Sequence, residues 1–397
     1  MPAHHSPTNF GSNLMFSPAI RLSLFFALYY SAYGVITPFW PVWLAHRGLS
    51  PDYIGATFAA GMIAKTVGIP AITALADRLG KRRVLVITLM SVAVASTLVL
   101  AFVSARLPIL IFSAILTGAG AGCVALVDNI TLLRARVEGF AYSQVRMWGS
   151  VSWLVVSLGF GAMLPIFGPE GIVWVVLAGS CAGLAAAFYL PEAVANSAVT
   201  GPAVKGNWLQ LLAHPPLVRI YIATALLQNA HIFYYAFGTL HWQKSGLSDP
   251  LIGWLWTEGV IAEVLLFALA PRFAVMRRPN VLFATAIGAG IIRWTTLAST
   301  TDPTALVLVN FLHAFTFGAC HLAAMIELTD KAPPGLSASA QGVYAAFSGG
   351  LASAAIFALT GPLYTWAGHW GYLSSLAMTL VGGAVLFYRP KVIQAPQ

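Results

Sequence analysis

Nine ionisable side chains lie inside long apolar runs of this chain: Lys65, Asp128, Arg146, Glu258, Glu263, Arg293, His231, His313 and His321. Hydrocarbon penalises such groups by roughly 3 kcal/mol or more at its centre, so where they persist they mark a path for a substrate or an ion. Two groupings emerge from their spacing. Asp128 lies about one and a half turns before the end of the fourth apolar run, and Arg146 about one turn into the fifth, which puts them at similar depth on antiparallel neighbours. Trp153 is seven residues beyond Arg146, two turns along the same face. An arginine under an aromatic plane suits a polar or anionic ligand with an apolar ring; the competing reading is an ion pair that only fixes two helices.

Glu263, Arg293 and His313 form the second grouping, in the middle or outer half of the membrane. A carboxylate beside an arginine in a dehydrated setting is suited to gain and lose a proton. Glu263 is the preferred proton carrier and Glu258 the second choice. They are five residues apart, so they face about 140° apart on a helix. Histidine can carry the proton instead, or merely bond between helices; this applies to His313, His321 and His231. Lys65 is expected within reach of a central cavity, as a carboxylate contact or as a snorkelling residue. Tyr30, Tyr33, Tyr234 and Tyr235 are deep enough to line a cavity for a ring-bearing ligand or to pack in the core. Trp43 and Trp242, near run ends, are assigned to the interfacial belt.

These side chains need a membrane scaffold. The 397 residues are 58% apolar and 8% charged, against about 25% charged in a soluble domain. The net charge of +9 is scattered in short loops without a basic face, which excludes a nucleic-acid partner. Cys123, Cys181 and Cys320 are an odd set and read as small buried packing residues rather than a disulfide framework. No phosphate loop, metal-ligand cluster or nucleophile–base pair occurs. No catalytic residue, metal or cofactor is therefore expected, and any uphill transport has to use an ion gradient.

Twelve helices are expected, at 20–45, 51–76, 84–104, 108–133, 143–167, 171–190, 217–243, 249–275, 280–299, 303–328, 337–365 and 369–388, each long enough to span a bilayer. Residues 1–19, which include His4 and His5, form a tail without the marks of a signal peptide. Residues 20–190 and 217–388 form two six-helix units, joined by a Pro/Gly/Ser-rich linker over 191–216 and followed by a tail over 389–397. Arg78, Lys81, Arg82, Arg83, Arg134, Arg136, Lys205, Arg219, Arg272, Arg277, Arg278, Lys331, Arg389 and Lys391 crowd one side, which places both termini in the cytoplasm. Gly48-Leu49-Ser50 with Ile54-Gly55 recurs as Gly246-Leu247-Ser248 with Ile252-Gly253. Parallel repeats of this kind are a transporter architecture. Gly118 and Gly122 read as a close helix contact.

The segment from Thr73 through Asp77, Arg78, Gly80 and Arg82 resembles the loop signature of the major facilitator superfamily, with Thr73 in place of its first glycine. The resemblance implies a charge-linked latch on the cytoplasmic side. Asp128, Arg146 and Trp153, with Arg293 and His313, resemble the sugar and coupling residues of the lactose permease family. The proton-carrying glutamate of that family is here Thr316, so its sugar relay is not implied. A fuller resemblance is to the bacterial 3-phenylpropionic acid transporter group. It runs through Tyr33-Gly34, Pro38 to Leu44, Val145 to Val151, His231, Tyr234-Tyr235, Trp254-Leu255-Trp256, Val260 to Val264, Ile292-Arg293-Trp294, Leu312-His313 and Cys320 to Met325. Glu258 departs from that group's pattern and Lys65 replaces an arginine. The resemblance implies an all-α membrane protein of twelve helices in two pseudo-symmetric bundles. It further implies a monomer in the bacterial inner membrane that takes up a small aromatic or other organic acid with protons. A sugar or nucleoside:proton symporter, an efflux antiporter and a non-transporting sensor are the alternatives.

Overall fold

The computed structural model describes residues 17–192, 209–333 and 336–388. Residues 1–16 of the expected tail, most of the linker with Lys205, and the basic C-terminal residues Arg389 and Lys391 lie outside the described residues. No strand occurs among the described residues. The helices are α1 (Pro18–His46), α2 (Pro51–Leu79), α3 (Arg82–Phe102), α4 (Arg106–Glu138), α5 (Tyr142–Phe167), α6 (Gly171–Ala187), α7 (Leu209–Leu212), α8 (Pro215–Asn229), α9 (Ile232–Lys244), α10 (Asp249–Leu269), α11 (Pro279–Ser299), α12 (Pro303–Asn310), α13 (Cys320–Lys331), α14 (Ser337–Gly349), α15 (Leu351–Ala367) and α16 (Tyr372–Phe387). Nine helical stretches among the described residues are long and apolar enough to cross a bilayer. The outer surface carries large apolar side chains such as Phe102, Ile166 and Trp366, as a lipid solvent requires and water does not.

The sequence repeat becomes a repeated turn. Gly48 (φ +77°) and Gly246 (φ +86°) adopt the left-handed conformation that glycine enters without a Cβ penalty. Leu49 N then donates to Leu44 O (3.2 Å) and Leu247 N to Trp242 O (3.0 Å), closing α1 and α9 alike. Ser50 and Ser248 precede α2 and α10, each with proline in the first turn, where its missing N–H costs nothing.

Helices α1 to α6 pack mainly among themselves, α1 on α5 and α6, α4 on α2 and α3. Gly118 and Gly122 bring α4 against Ala64 and Ile72 of α2, the close contact expected of them. Helices after residue 209 form a second set, with α8 on α14 and α16 and α11 on α13 and α16. The sets meet through α2–α15, α5–α10 and α1–α9. At these seams glycine lets backbones touch: a Cβ on Gly161 would lie 2.9 Å from Gly253 Cα, and one on Gly361 2.4 Å from Pro51 O. Both seams are at the Gly48/Gly246 end.

Three expected continuous helices are interrupted. The run 217–243 breaks between α8 and α9, where His231 Nδ1 lies 3.0 Å from Gln228 O, so a side chain takes a ladder carbonyl. The run 303–328 contains a π turn at Ala314–Ala319, a device that recurs at functional sites. The run 337–365 breaks at Gly350, where a Cβ would meet Ala346 O at 2.2 Å. Trp43 and Trp242 are not interfacial anchors: they are 0% and 1% exposed. Trp43 stacks on Trp40 and Trp242 meets Tyr234 edge-on, because α1 and α9 face each other and cover their own ends. Cys181 is exposed on α6 rather than buried, whereas Cys123 and Cys320 are buried.

Candidate functional site

Arg293 of α11 is 1% exposed and draws three separate elements together. Its Nη1 donates toward His313 Nδ1 and Thr316 Oγ1, both at 3.2 Å, and its Nη2 to Asn310 Oδ1 at 3.1 Å. The guanidinium also lies 4.8 Å from the Tyr234 ring centre and 4.9 Å from that of Trp294. No carboxylate pairs with Arg293 among the described residues. The charge is held by hydrogen bonds and aromatic faces, which offset part of its burial cost.

The donors fix the histidine tautomers. Arg293 has only N–H groups to offer, so His313 Nδ1 is an acceptor and Nε2 carries the hydrogen. That Nε2 is 3.4 Å from Glu263 Oε2. His231 donates from Nδ1 to the Gln228 carbonyl (3.0 Å), so its Nε2 accepts from the Thr316 hydroxyl at 3.0 Å. A directional chain therefore runs from Arg293 through Thr316 to His231 and the α8 carbonyl end. His313 and Thr316, three residues apart, share one helix face and both reach Arg293. Glu263 Cγ packs where Gly318 leaves room: a Cβ there would lie 3.2 Å from it. Glu258 of α10 is 1% exposed, and neither oxygen has a partner among the described residues. Glu258 and Glu263 thus occupy different surroundings.

Arg146 of α5 makes its shortest contact with Tyr30 Oη (2.5 Å), and its guanidinium carbon sits 4.2 Å from the Tyr30 ring centre. Asp128 is further off, 3.8 Å from Arg146 Nε, and accepts a bond from Tyr142 Oη at 2.9 Å. Gly149 makes this possible, since a Cβ there would lie 2.6 Å from the Tyr30 ring. Tyr33 stacks on Tyr29 (4.9 Å) and fills the space at Gly120.

Two cavities lie between the helix sets. One, of about 100 Å³, is bordered by Thr37 and Trp153 from the first set and by Tyr234, Tyr235, Trp256, Arg293 and His313 from the second. Trp153 therefore shares a cavity with Arg293 and His313. The other, of about 420 Å³, is bordered by Lys65, Gln228, Asn229, Tyr235, His321, Tyr344, Ser348, Gly349 and Ser353. Tyr235 borders both. His321 Nδ1 is 3.0 Å from Tyr344 Oη, and Lys65 has no carboxylate partner among the described residues. Two larger hollows, of about 760 and 480 Å³, have nearly all-apolar walls.

The Asp77 loop lies apart from both cavities. Asp77 pairs with Arg82 at 2.8 Å and is largely exposed, so this contact is worth little on its own. Gly80 (φ +67°) closes α2. Sequence reasoning missed Gln228, Asn229, Asn310 and Thr37, which are uncharged. Extending the search for misplaced polar groups to amides within apolar runs finds three of them.

The profile of the "MFS_1 like family" matches residues 19–371. The chain is 30% identical over 388 residues to the "Probable 3-phenylpropionic acid transporter" of Escherichia coli, covering 94% of this chain and 97% of that protein. It is 23% identical over 386 residues to the same organism's "Putative nucleoside transporter YegT", covering 89% of each. In fold it is similar to the crystal structure of the nucleoside transporter NupG, with TM-score 0.81 at 16% identity, 94% of this chain and 100% of that one. A bacterial homologue of the human lysosomal transporter Spinster, inward-facing and unoccupied, follows at TM-score 0.66 and 15% identity, covering 93% of this chain and 95% of that one.

Proposed function

The chain belongs to the MFS_1 like family, and from that membership we propose that it carries a small aromatic or other organic acid into the cell together with protons. It is a multi-pass membrane transporter and not an enzyme. Twelve spans form two six-helix bundles over 20–190 and 217–388, in the bacterial inner membrane with both termini cytoplasmic. On that orientation the glycine seams close the outer end, and the two cavities lie on the cytoplasmic side of them. Alternation then consists of rocking one bundle against the other.

One observation carries the substrate class: the larger cavity, bordered from both sets of helices, is lined by Lys65 and by no acidic residue. Past Tyr235 lie the aromatic walls of Trp153, Trp256 and Tyr234 with the Arg293 guanidinium. Cations and ring faces together suit an aromatic monocarboxylate, and Lys65, Arg146 and Arg293 are its candidate anion contacts. The name of the relative 30% identical to this chain agrees with this choice. Glu263, in contact with His313 and through it with Arg293, is the proposed proton carrier; Glu258 is the alternative.

A nucleoside is the second reading, favoured by the name of the more distant relative and by the Asp128–Arg146 pair. Proteoliposomes separate the two. Labelled 3-phenylpropionate should enter and be competed by other arylalkanoates, while uridine and lactose neither enter nor compete. Uptake of uridine without uptake of the acid would transfer the assignment.

A further inference from the structure

We propose that Asn229 and His321 form a subsite of the larger cavity that hydrogen-bonds a hydroxyl group of the substrate, so that the preferred substrates are aryl acids with a phenolic hydroxyl. This rests on the organic-acid reading above and adds a second polar group to the ligand besides its carboxylate.

Asn229 ends α8, is 2% exposed and borders that cavity. One end of its amide is taken: Ser353 Oγ of α15 lies 2.5 Å from Asn229 Oδ1. The other end, Nδ2, has no partner among the described residues, yet it is not sealed off as Asn310 Nδ2 is. A buried amide therefore keeps one atom open beside the cavity. Ser353 Oγ also lies 3.2 Å from Ser348 O. If its hydrogen goes to Asn229, the open atom is the NH2 donor; if it goes to Ser348, the amide turns and the open atom is the carbonyl acceptor.

His321 of α13 borders the same cavity and repeats the arrangement. Its Nδ1 is 3.0 Å from Tyr344 Oη, while its Nε2 has no partner among the described residues and is likewise not sealed off. Nε2 accepts or donates according to which partner supplies the hydrogen to the Tyr344 bond. A hydroxyl suits either open atom in either state, because it donates one hydrogen and accepts through its lone pairs. A methoxy group only accepts, and a bare ring does neither. A bare ring that displaces water from Asn229 returns no bond to the amide, which costs affinity.

The helix sets place the hydroxyl on the ligand. Lys65 borders the cavity from α2, whereas Asn229 and His321 border it from the other set. With the carboxylate at Lys65, the hydroxyl belongs on the part of the ligand away from it, the ring. The cavity volume of about 420 Å³ exceeds the roughly 150 Å³ that holds a benzene, so a ring substituted at both ends fits.

Isothermal calorimetry on purified full-length protein tests this at neutral pH, where a phenol is un-ionised. The ligands are 3-phenylpropionate, its ortho-, meta- and para-hydroxyphenyl forms and the matching methoxyphenyl forms. In wild type at least one hydroxyphenyl isomer should bind about tenfold tighter than 3-phenylpropionate, and its methoxy ether should not. Asn229→Leu should reduce that ratio to within about twofold. Binding of any of these acids by the variant also reports that it is folded. If Asn229→Leu binds none, the ratio in Asn229→Ala decides, and if that variant is silent too, the wild-type ranking of hydroxyl over methoxy decides. Wild type that ranks no hydroxyphenyl isomer above 3-phenylpropionate, or a preference that survives in the Asn229 variants, overturns the subsite and leaves the organic-acid reading intact. Wild type that binds no aryl acid overturns the reading and the subsite together.

Discussion

Arg293 organises the second half of the molecule through neutral partners, and that makes its neighbours sensitive to single atoms. Thr316 accepts from Arg293 and donates to His231. Thr316→Val keeps the shape, removes both bonds and leaves His231 Nε2 buried without a donor. A stability loss of ~1–3 kcal/mol is expected, read as a lower melting temperature in detergent; an unchanged melting temperature would mean the chain of bonds contributes nothing. Glu263→Gln keeps the hydrogen-bonding outline beside His313 but cannot exchange a proton. It should abolish gradient-driven accumulation and spare exchange of substrate across the membrane; accumulation that survives moves proton carriage to Glu258 or a histidine. At this scale the sequence exposed the charged residues, because charge in an apolar run stands out. It did not reveal that Trp153 borders the Arg293 cavity, since that depends on how α5 meets α10. Nor did it single out Gln228 or Asn310, whose amides cost less to bury than a charge and so attract less notice.

The helices themselves were legible as apolar runs of spanning length, and the Gly48 and Gly246 turns as a repeated tripeptide. Their interruptions were not. A run such as 337–365 stays apolar through Gly349-Gly350, and nothing in composition says whether a glycine pair is a contact or a break. The close approach to Ala346 O decides it. Gly350→Ala should therefore disturb α14 and α15, with loss of folded protein or of uptake, whereas Gly342→Ala, which meets nothing within 4 Å, should be neutral or slightly stabilising by helix propensity. Fluorescence size-exclusion profiles and uptake of the two variants check this; equal behaviour would remove the structural demand on Gly350. Trp43 and Trp242 teach the same lesson about position. Tryptophan near a run end reads as an interfacial anchor, yet here the facing helix covers it.

Across the whole molecule, the two helix sets touch by backbone at the Gly48/Gly246 end and border two cavities with a few polar side chains deeper in. Such a seam opens only if its glycines part. Gly361→Leu places side-chain atoms where Pro51 O and Asp52 Cα lie, within 2.5 Å of the first added carbon. It should lengthen the distance between spin labels on the Gly48 and Gly246 turns, and an unchanged distance would show that the seam yields elsewhere. The proposed alternation needs that opening to be coupled to a proton and to an acid. The most direct test is proton movement during transport. Purified protein in liposomes containing a pH dye, given 3-phenylpropionate outside without an imposed gradient, should acidify the interior as substrate enters. Glu263→Gln should admit substrate in exchange without that acidification beyond passive permeation of the acid in protein-free liposomes. Acid uptake by wild type with no proton entry above that background would contradict the account.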